Sequence, residues 1–305
     1  MRKKKLSEIL ITCVLVLIML TGIGIFLYPP FSSWWNARLQ TKVIDDYNKA
    51  VGVLDSSKKE ELLEQAHAYN ASLAALDDPL ADHAQLTEYS NVLDIPGTGI
   101  LGYIDIPKIG VHLPVYHGTS PEVLNIAVGH LEGTSLPVGG AGCHAVISAH
   151  RGLPSARLFT DLDQLTEDDQ FSISILDDIF TYEVDCISVV LPYEMELLRP
   201  EPGRDLVTLM TCTPYGINTH RLLVRGHRID TVPEETADGE EVRRVRIPAD
   251  AILVDNLISL PFLVIPLVII LIIYWSLSGK RRKKRYLSAY TVNKELNIQE
   301  RKGEP

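Results

Sequence analysis

Cysteine is scarce in this chain, and its spacing forms no metal or redox motif. The four cysteines are Cys13, Cys143, Cys186 and Cys212, and no two are spaced as in a zinc finger or a CxxC redox pair. The sequence also lacks a glycine-rich phosphate loop and internal repeats. These absences exclude phosphate-loop nucleotide binding and repeat architectures. We expect neither a metal ion nor another cofactor.

Basic residues are few in the middle of the chain. Residues 30–279 carry 16 of the 29 basic residues but 35 of the 39 acidic ones, a net charge of about −19 with histidine neutral. Because nucleic-acid recognition requires a basic surface, this balance excludes nucleic acid as a partner. The acidic surface either steers a cationic partner, such as a lysine-rich protein, or only keeps an exported domain soluble.

An apolar run without charged residues covers positions 9–28 and follows a basic start, RKKK at positions 2–5. About twenty apolar residues are what a membrane-spanning helix needs. A cleaved signal peptide begins in a similar way, but this run ends in Tyr-Pro-Pro-Phe at 28–31 instead of a small-residue cleavage site. The sequence therefore favours a retained membrane anchor over residues 1–29.

A second apolar run covers positions 257–278 and is interrupted only by Pro261 and Pro266. Proline is tolerated in membrane helices, and the basic block KRRKKR at 280–285 makes the alternative, a buried soluble helix, a poor match. A basic cluster lies between each apolar run and the nearer chain terminus, and this pattern predicts that both termini are in the cytoplasm. We therefore predict a cell-membrane protein with two spans, an extracellular middle and a basic cytoplasmic tail at 279–305.

The cysteine count bears on this arrangement. Cys13 falls in the first predicted span, which leaves three cysteines outside the membrane and at least one free thiol. Small or β-branched neighbours flank Cys143 and Cys186, so we interpret both as small core residues. Cys212 has a different sequence context.

The extracellular part divides into a helical and a β-rich region. Residues 30–76 have helical apolar spacing and good helix formers, and 77–99 form a loop and linker, since Asp-Asp-Pro at 77–79 disfavours helix before the proline. From residue 100 to 230 the pattern is strands and turns, with a brief helix at 121–127; a polar linker follows at 231–256. The predicted strands lie at 102–107, 111–116, 144–148, 170–176, 180–190, 205–211 and 221–229. This organisation predicts a mainly β fold, a closed or nearly closed barrel.

Three residues in the β-rich region have the chemistry for acyl transfer by a thiolate. The segment TLMTC at 208–212 brings Cys212 to a Thr-Pro turn, Arg221 begins the next strand, and His150 ends the apolar stretch at 145–150. A nucleophile, a proton carrier and a fixed positive charge are the minimum parts. A cysteine near a strand end is also a common packing residue, so the spacing alone leaves that alternative open.

Strand parity constrains where these groups point. Met210 and Cys212 share one face of their strand, whereas Thr211 is on the other. In the following strand Leu222 would point inward and Arg221 outward. If the two strands pair, Cys212 and Arg221 can reach one external groove.

Other histidines and arginines nearby receive a structural interpretation. A zinc site would need a pattern such as HExxH, which the sequence does not contain. Satisfied polar positions are the better prediction for His117, His130, His144 and His220. Arg225 and Arg228, on the strand of Arg221, are predicted to be structural or solvated.

The motifs resemble those of a known family. TLMTC with Arg221 matches the TLxTC…R signature of sortases, and Ser-Ala-His-Arg-Gly at 148–152 is similar to their histidine segment. Positions 129–137 and 211–221 resemble the class C, pilus-assembling sortases. The resemblance implies an eight-stranded sortase barrel with a groove that carries Cys212, His150 and Arg221.

The resemblance also implies an activity and partners. Such an enzyme cleaves an LPxTG-like sorting signal between Thr and Gly and passes the acyl group to an amine, which in class C is a lysine of the next pilin. Cys212 would attack as thiolate, and His150 would donate and later accept a proton. Arg221 would bind the developing oxyanion, an effect of roughly 3 kcal/mol. Expected partners are pilins or surface proteins with the sorting signal, the acceptor lysine and membrane lipid.

A lid is implied as well. Class C sortases resemble one another in an N-terminal lid with an Asp-Pro-aromatic motif, whose aspartate pairs with the catalytic arginine. Asp78 and Pro79 fit this pattern and Leu80 departs from it, lacking the ring. We therefore expect a lid that a contact between Asp78 and Arg221 holds only weakly, by about 1 kcal/mol. The alternative is a mere linker turn.

Two other function classes stay open on the sequence. One is a hydrolytic or housekeeping-type sortase, in which water or a cell-wall amine resolves the thioester. The other is a membrane-anchored β-domain that acts as a scaffold without chemistry.

Overall fold

The computed structural model describes residues 2–95 and 97–229, in which four α-helices accompany one β-barrel. The polar linker, the second predicted span and the basic tail lie outside the described residues. The helices are α1 (Arg2–Gly52), α2 (Ser56–Ala74), α3 (Pro79–Asp82) and α4 (Pro121–Leu124). Within the described residues α1 is the one helix whose length and composition suit a membrane crossing.

The first helix differs from the expected division at residue 29. α1 continues through Pro29 and Pro30 for 51 residues without a break, so the first predicted span and the first part of the helical segment form one element. The break comes later, at 53–55, where Asp55 caps α2 by accepting a hydrogen bond from the backbone N–H of Lys58 at 2.7 Å. An Asp at this position satisfies one of the free N–H groups of a helix start.

The segment predicted as a loop at 76–82 contains a short helix. Pro79 occupies the first turn of α3, where its missing N–H costs nothing and its fixed φ suits a helix. The restriction that proline imposes on its predecessor is nevertheless visible, since Asp78 has φ −134° and ψ 88°. The prediction of a loop was therefore wrong for Pro79–Asp82 and right for the residue before it.

Eight strands close into the barrel, which confirms the predicted fold class. The strand order is β1-β2-β3-β4-β7-β8-β6-β5, with β5 returning to β1; only β2/β3 and β4/β7 are parallel pairs. Residue-by-residue interpretation had missed β3, because three residues around a glycine are too few for an alternating pattern. The strands are β1 (Gly102–Ile106), β2 (Val111–His117), β3 (Val128–His130), β4 (Cys143–Ser148), β5 (Gln170–Ile175), β6 (Asp178–Val190), β7 (Asp205–Thr213) and β8 (His220–Ile229).

One apolar core joins the barrel to the two long helices. Ile44, Tyr47 and Val51 of α1 are buried in it together with the inward side chains of the strands. The Tyr47 hydroxyl also donates to the carbonyl of Leu101 at 3.0 Å and accepts from the N–H of Leu176 at 2.8 Å. Each fully buried side chain of this size contributes about 1.5–3 kcal/mol, so the second half of α1 is an integral part of the barrel.

Candidate active site

The ends of three neighbouring strands place His150, Cys212 and Arg221 side by side. Cys212 in β7 lies directly opposite Arg221 in β8 in the antiparallel register. On the other side of β7 runs β4, and the N–H of Ala149 donates to the carbonyl of Met210 at 3.1 Å. β4 itself ends at Ser148, opposite Met210, and a continuation of the same register by two residues would set His150 beside Cys212. Adjacent strands are about 4.8 Å apart, so the three residues form one row across the sheet.

Cys212 and Arg221 belong to the outer face of the barrel, and His150 directly follows Ala149, which is buried in the core. Leu222 and Val224 are buried in the barrel core, whereas Leu223 belongs to a separate cluster outside it, against which Met210 packs. The parity predicted for β7 and β8 is therefore confirmed. Side chains alternate along a strand, so Cys212 shares the face of Met210 and Arg221 shares the face of Leu223.

The two threonines of the TLMTC segment hold β7 against β4. The Thr211 hydroxyl donates to the carbonyl of Ala149 at 2.8 Å, next to His150. The Thr208 hydroxyl lies 2.7 Å from Nε2 of His144. Both threonines are buried, and a buried hydroxyl is costly unless it is hydrogen-bonded. These bonds fix the relative position of the strand ends that carry His150 and Cys212.

Arg151 joins the loop after His150 to the turn after Cys212, a role that the sequence interpretation missed. Its guanidinium donates to the Thr213 hydroxyl at 3.2 Å and forms an ion pair with Asp163. Its side chain is only 10% exposed. Gly152 allows the ring of Tyr215 to approach, since a Cβ there would lie 2.8 Å from ring carbons. Adjacency to His150 was the only signal in the sequence.

Arg221 is held by the backbone and not by a carboxylate. Its Nη1 donates to the carbonyls of His220 at 3.2 Å and Asn218 at 3.4 Å. Among residues 2–95 and 97–229, no Asp or Glu forms an ion pair with it. Since a guanidinium has five N–H donors, Nε and Nη2 are left to bind an oxyanion.

Cys143 and Cys186 are free thiols too, with the same intermediate burial as Cys212. The Sγ of Cys143 lies 3.9 Å from Nδ2 of Asn70, and burial together with the Asp205 carboxylate raises the pKa of this thiol. Cys186 contacts the Ser188 hydroxyl at 3.5 Å. Both are half-buried, so the expectation of small core residues was too simple. A protonated thiol is a weak nucleophile, which sets Cys143 apart from a reactive site.

Of the four histidines predicted to be structural, three are bound to the protein at one or both ring nitrogens. His144 contacts the carbonyl of Arg199 at 2.9 Å as well as Thr208, and burial lowers its pKa. His130 contacts the Tyr89 hydroxyl and the carbonyl of Ser135, each at 2.8 Å, and burial lowers its pKa to about 4. His117 contacts the carbonyl of Val92 at 2.8 Å. These contacts agree with the structural interpretation.

His220 has a more open setting. Its Nδ1 lies 2.9 Å from the Thr219 hydroxyl at the surface. Within the part of the chain that the structure describes, no cluster of three His, Cys, Asp or Glu side chains is arranged to hold a metal ion.

Arg225 and Arg228 are engaged in structural contacts. Arg225 forms ion pairs with Asp185 at 3.0 Å and Glu201 at 2.6 Å. Arg228 lies over the ring of Phe180, 4.6 Å from its centroid, and 3.9 Å from the Asp205 carboxylate. The structural interpretation of both residues is therefore confirmed.

The segment predicted to be a lid has a different ionic partner from the expected one. Oδ1 of Asp78 lies 3.6 Å from Nη2 of Arg199, in the β6–β7 connection, and Asp78 makes no ion pair with Arg221. The same oxygen is shielded from solvent without a hydrogen bond. The expected contact with Arg221 was wrong because the β6–β7 connection brings another arginine, Arg199, next to Asp78.

Leu80 and the backbone of α3 pack on the outer face of the barrel. Leu80 contacts an apolar cluster built from Val146, Leu198 and Leu223, to which Met210 also belongs. Met210 and Leu223 are paired across the sheet, one outward row below Cys212 and Arg221. A Cβ on Gly133 would lie 2.7 Å from the carbonyl oxygen of Pro79, so α3 rests directly on this glycine.

A cavity of about 520 Å³ opens behind this segment, away from the row of Cys212. Its walls come from α2, α3, the glycine-rich loop at 139–142 and the β6–β7 connection. Cys143, His144 and Arg199 line it, whereas His150, Cys212 and Arg221 do not.

Comparison with known proteins agrees with the motifs. The Sortase domain model matches residues 104–229. The crystal structure of sortase C1 from Streptococcus agalactiae is similar, with 44% identity and a TM-score of 0.58 over 63% of this chain and 100% of that one. Sortase C of Streptococcus pneumoniae is 44% identical with a TM-score of 0.56, over 62% of this chain and 96% of that one.

A curated relative extends the match to another class. Sortase A of Streptococcus agalactiae serotype III is 29% identical over 142 residues, 46% of this chain and 57% of that protein's length. The similarity to sortase C1 nevertheless covers the whole of that chain at 44% identity, and it therefore shows a shared family. This chain belongs to the sortase family of cysteine transpeptidases, and its structural neighbours are class C sortases.

Proposed function

We propose that this chain is a membrane-anchored transpeptidase that joins pilins through an LPxTG-like sorting signal. One observation carries the proposal: the outward row in which Cys212 has the histidine segment on one side and Arg221 on the other. A pilin substrate is named for the similar sortase C of Streptococcus pneumoniae, which supports the choice of substrate class.

In the first half of the reaction, the sorting signal is cleaved between Thr and Gly. The Cys212 thiolate attacks the carbonyl carbon of Thr, and the carbonyl oxygen becomes an oxyanion that Nε and Nη2 of Arg221 stabilise. His150, as imidazolium, donates its proton to the amine of the departing Gly. The C–N bond breaks, and the substrate remains attached to Cys212 as a thioester.

In the second half, a lysine amine of another pilin attacks the thioester. Neutral His150 accepts a proton from this amine as the new C–N bond forms. The C–S bond breaks, Cys212 leaves as thiolate, and an isopeptide bond links the two pilins. His150 ends as imidazolium, ready for the next cycle, so the net reaction exchanges one amine for another and needs no cofactor.

Asp78, Pro79 and Leu80 act as a lid in this proposal. Leu80 packs against the apolar cluster that includes Leu223 and Met210, the row next to Cys212. A substrate chain that lies along this outer face would have to displace it. The Asp78–Arg199 pair is about half exposed on both sides, so it holds the lid by no more than about 1 kcal/mol.

The membrane arrangement supports the same function. α1 supplies one anchor, and the basic start of the chain favours a cytoplasmic N-terminus. We keep the second span at 257–278 and the cytoplasmic tail as part of the proposal. The two substrates would then meet on the extracellular side: the protein with the sorting signal and the pilin with the acceptor lysine.

The test is intact-mass analysis of the full-length protein with an LPxTG-type peptide, with and without a lysine-bearing pilin. We expect a covalent adduct on Cys212 with the peptide alone and a peptide–pilin isopeptide when both are present. Cys212→Ala should give neither product, and Cys143→Ala should give both.

Each other outcome has a definite meaning. A hydrolysed peptide without pilin transfer would indicate the hydrolytic alternative, and transfer only to a cell-wall amine the housekeeping type. Absence of any adduct from the wild-type chain would refute the proposal and leave the scaffold.

A further inference from the structure

Four exposed aromatic residues lie at the end of the apolar run in α1 and in the two turns after it. Tyr28, Phe31, Trp34 and Trp35 are each about half exposed or more. Phe31 and Trp34 have ring centroids 5.9 Å apart, and the Arg38 guanidinium lies 4.4 Å from the Trp34 ring. A surface patch of this kind in a folded protein indicates a partner.

The position of the patch identifies the partner as lipid. It continues the apolar run at 9–28 in the same helix, without an intervening loop. Tryptophan and tyrosine are enriched where membrane helices leave the hydrocarbon core, and an arginine one turn further along is placed to reach lipid phosphates. The headgroup region of a phospholipid bilayer matches this order of groups.

The opposite side of the same helical stretch is bound to the barrel. Ser32 and Asn36 both donate to the carbonyl of Ser155, at 3.2 and 2.7 Å. Gln40 donates to the carbonyl of Ile126 at 2.6 Å. These residues are four apart and form one helix face. Ser32 is only four residues beyond Tyr28, about 6 Å along the axis, so little space separates the barrel from the end of the apolar run.

The carbonyl that α1 binds belongs to the loop that carries His150. Ser155 lies between His150 and Phe159, and the N–H of Phe159 donates back to the carbonyl of His150 at 3.2 Å. The helix therefore holds both the barrel and the histidine loop.

We propose that residues 28–38 of α1 form a platform that sits in the lipid headgroup region and holds the His150 loop at a fixed height close to the bilayer surface. The inference rests on the membrane anchoring in the proposed function but on no step of the acyl transfer. Its functional consequence is a preference for substrates that are presented at this height.

The first test is fluorescence quenching of the full-length protein in phospholipid bilayers. The chain has three tryptophans, so Trp275→Phe restricts emission to Trp34 and Trp35. We expect a larger loss of emission with lipids brominated near the carbonyl end of the acyl chain than with lipids brominated near the methyl end. The Trp275→Phe protein in bromine-free lipid is the reference.

Two results would overturn the platform. Emission that no brominated lipid reduces would place the tryptophans in water or against protein, and a cross-link between their positions in two copies would then identify a second copy as the occupant. Stronger quenching near the methyl end would place them inside the span.

The second test changes the height of the barrel above the bilayer surface. Seven helix-forming residues inserted after Tyr28 lift the barrel by about 10 Å and nearly preserve the helix phase. We expect cleavage of a lipid-tethered sorting-signal peptide to fall severalfold, while cleavage of the soluble peptide is unchanged. The same insertion after Asp238, in the polar linker, is the matched control.

Equal cleavage of the tethered peptide before and after the insertion would overturn the fixed height. If instead neither peptide is cleaved by any variant, the proposed function fails, and the quenching result still decides the lipid platform.

Discussion

The sheet formed by β4, β7 and β8 carries the same three residue types twice, in opposite states. In one set, His150, Cys212 and Arg221 share one row, and no carboxylate of the described residues pairs with the arginine. In a second set, Cys143 and His144 at the start of β4 are bound by Asn70 and Thr208, and Arg225 in the middle of β8 is bound by Asp185 and Glu201.

The comparison shows why residue type alone does not identify a site. A group whose hydrogen bonds and charge are already satisfied contributes to stability but has nothing left to offer a substrate. Even the adjacent pair Cys143 and His144 is no dyad, because successive side chains of a strand point to opposite faces.

Replacement of each of the two cysteines by alanine tests the comparison, and it has the largest expected effect. Cys212→Ala should lower transpeptidation at least about a thousandfold, since it removes the nucleophile. Cys143→Ala should leave the rate within about twofold, because a buried methyl replaces a thiol with a raised pKa. Initial rates of peptide cleavage measure both, and an inactive Cys143→Ala that still folds would reverse the assignment.

The two histidines should separate activity from the pH dependence of stability. His150→Ala is expected to lower the rate about 100-fold or more, as for loss of a general acid–base. Burial lowers the pKa of His144 in the folded state below its value of 6.5 in the unfolded chain. The fold therefore has its full stability at a pH above 6.5, where His144 is neutral in both states. This stabilisation is lost progressively as the pH falls below 6.5.

The check is thermal unfolding between pH 8 and 5 — conditions chosen to span the ordinary histidine pKa of about 6.5. His144→Gln should flatten the loss of stability on the acid side. Equal pH profiles for wild type and His144→Gln would contradict a buried neutral role for His144.

The two arginines should divide catalysis from stability. Arg221→Ala should lower kcat about 100- to 1000-fold, the effect of removing one oxyanion donor, with little change in Tm. Arg225→Ala removes one of the two arginines that pair with Asp185, and Arg204 remains. This loss should lower the free energy of unfolding by about 2 kcal/mol, since the ion-pair network is only partly buried. Calorimetry and initial rates give both numbers, and a stable but inactive Arg225→Ala would contradict this division of roles.

A glycine pair tests the lid, with the smallest expected effect. Gly133→Ala adds a methyl group that collides with the backbone of Pro79 and Leu80, and Gly142→Ala has the same positive φ with open space around it. If the lid is held by about 1 kcal/mol, its displacement should raise peptide cleavage about fivefold. Initial rates measure the change.

Gly142→Ala is the control for backbone strain and should not raise the rate. Asp78→Ala and Arg199→Ala should behave alike, because they remove the same ion pair. Unchanged cleavage in Gly133→Ala would remove the gating role of the segment.

Much of the site followed from local patterns. Parity in β7 and β8 predicted which side chains face the core, because alternation is a property of a single strand. Of the two missed features, β3 has no local signal, and the contacts of Arg151 have none beyond its adjacency to His150. A three-residue strand and a pairing between Arg151 and Thr213, 62 positions apart, appear only when distant segments meet.

The lid illustrates the same limit. The Asp-Pro pair at 78–79 pointed to a special conformation, but the partner of Asp78 depends on how the β6–β7 connection lies against α3. That connection supplies Arg199 and the cluster residue Leu198, and neither position is marked by its sequence neighbours.

The amino-acid order by itself determined the apolar run that suits a membrane crossing, the alternation of the strands and the residue types needed for thiolate chemistry, since these depend on composition and short-range periodicity. Only the tertiary structure decided which cysteine, histidine and arginine are left unsatisfied. That distinction arises because hydrogen-bond and ion-pair partners come from distant strands and loops, and a group becomes available to a substrate only where the fold brings it no partner of its own.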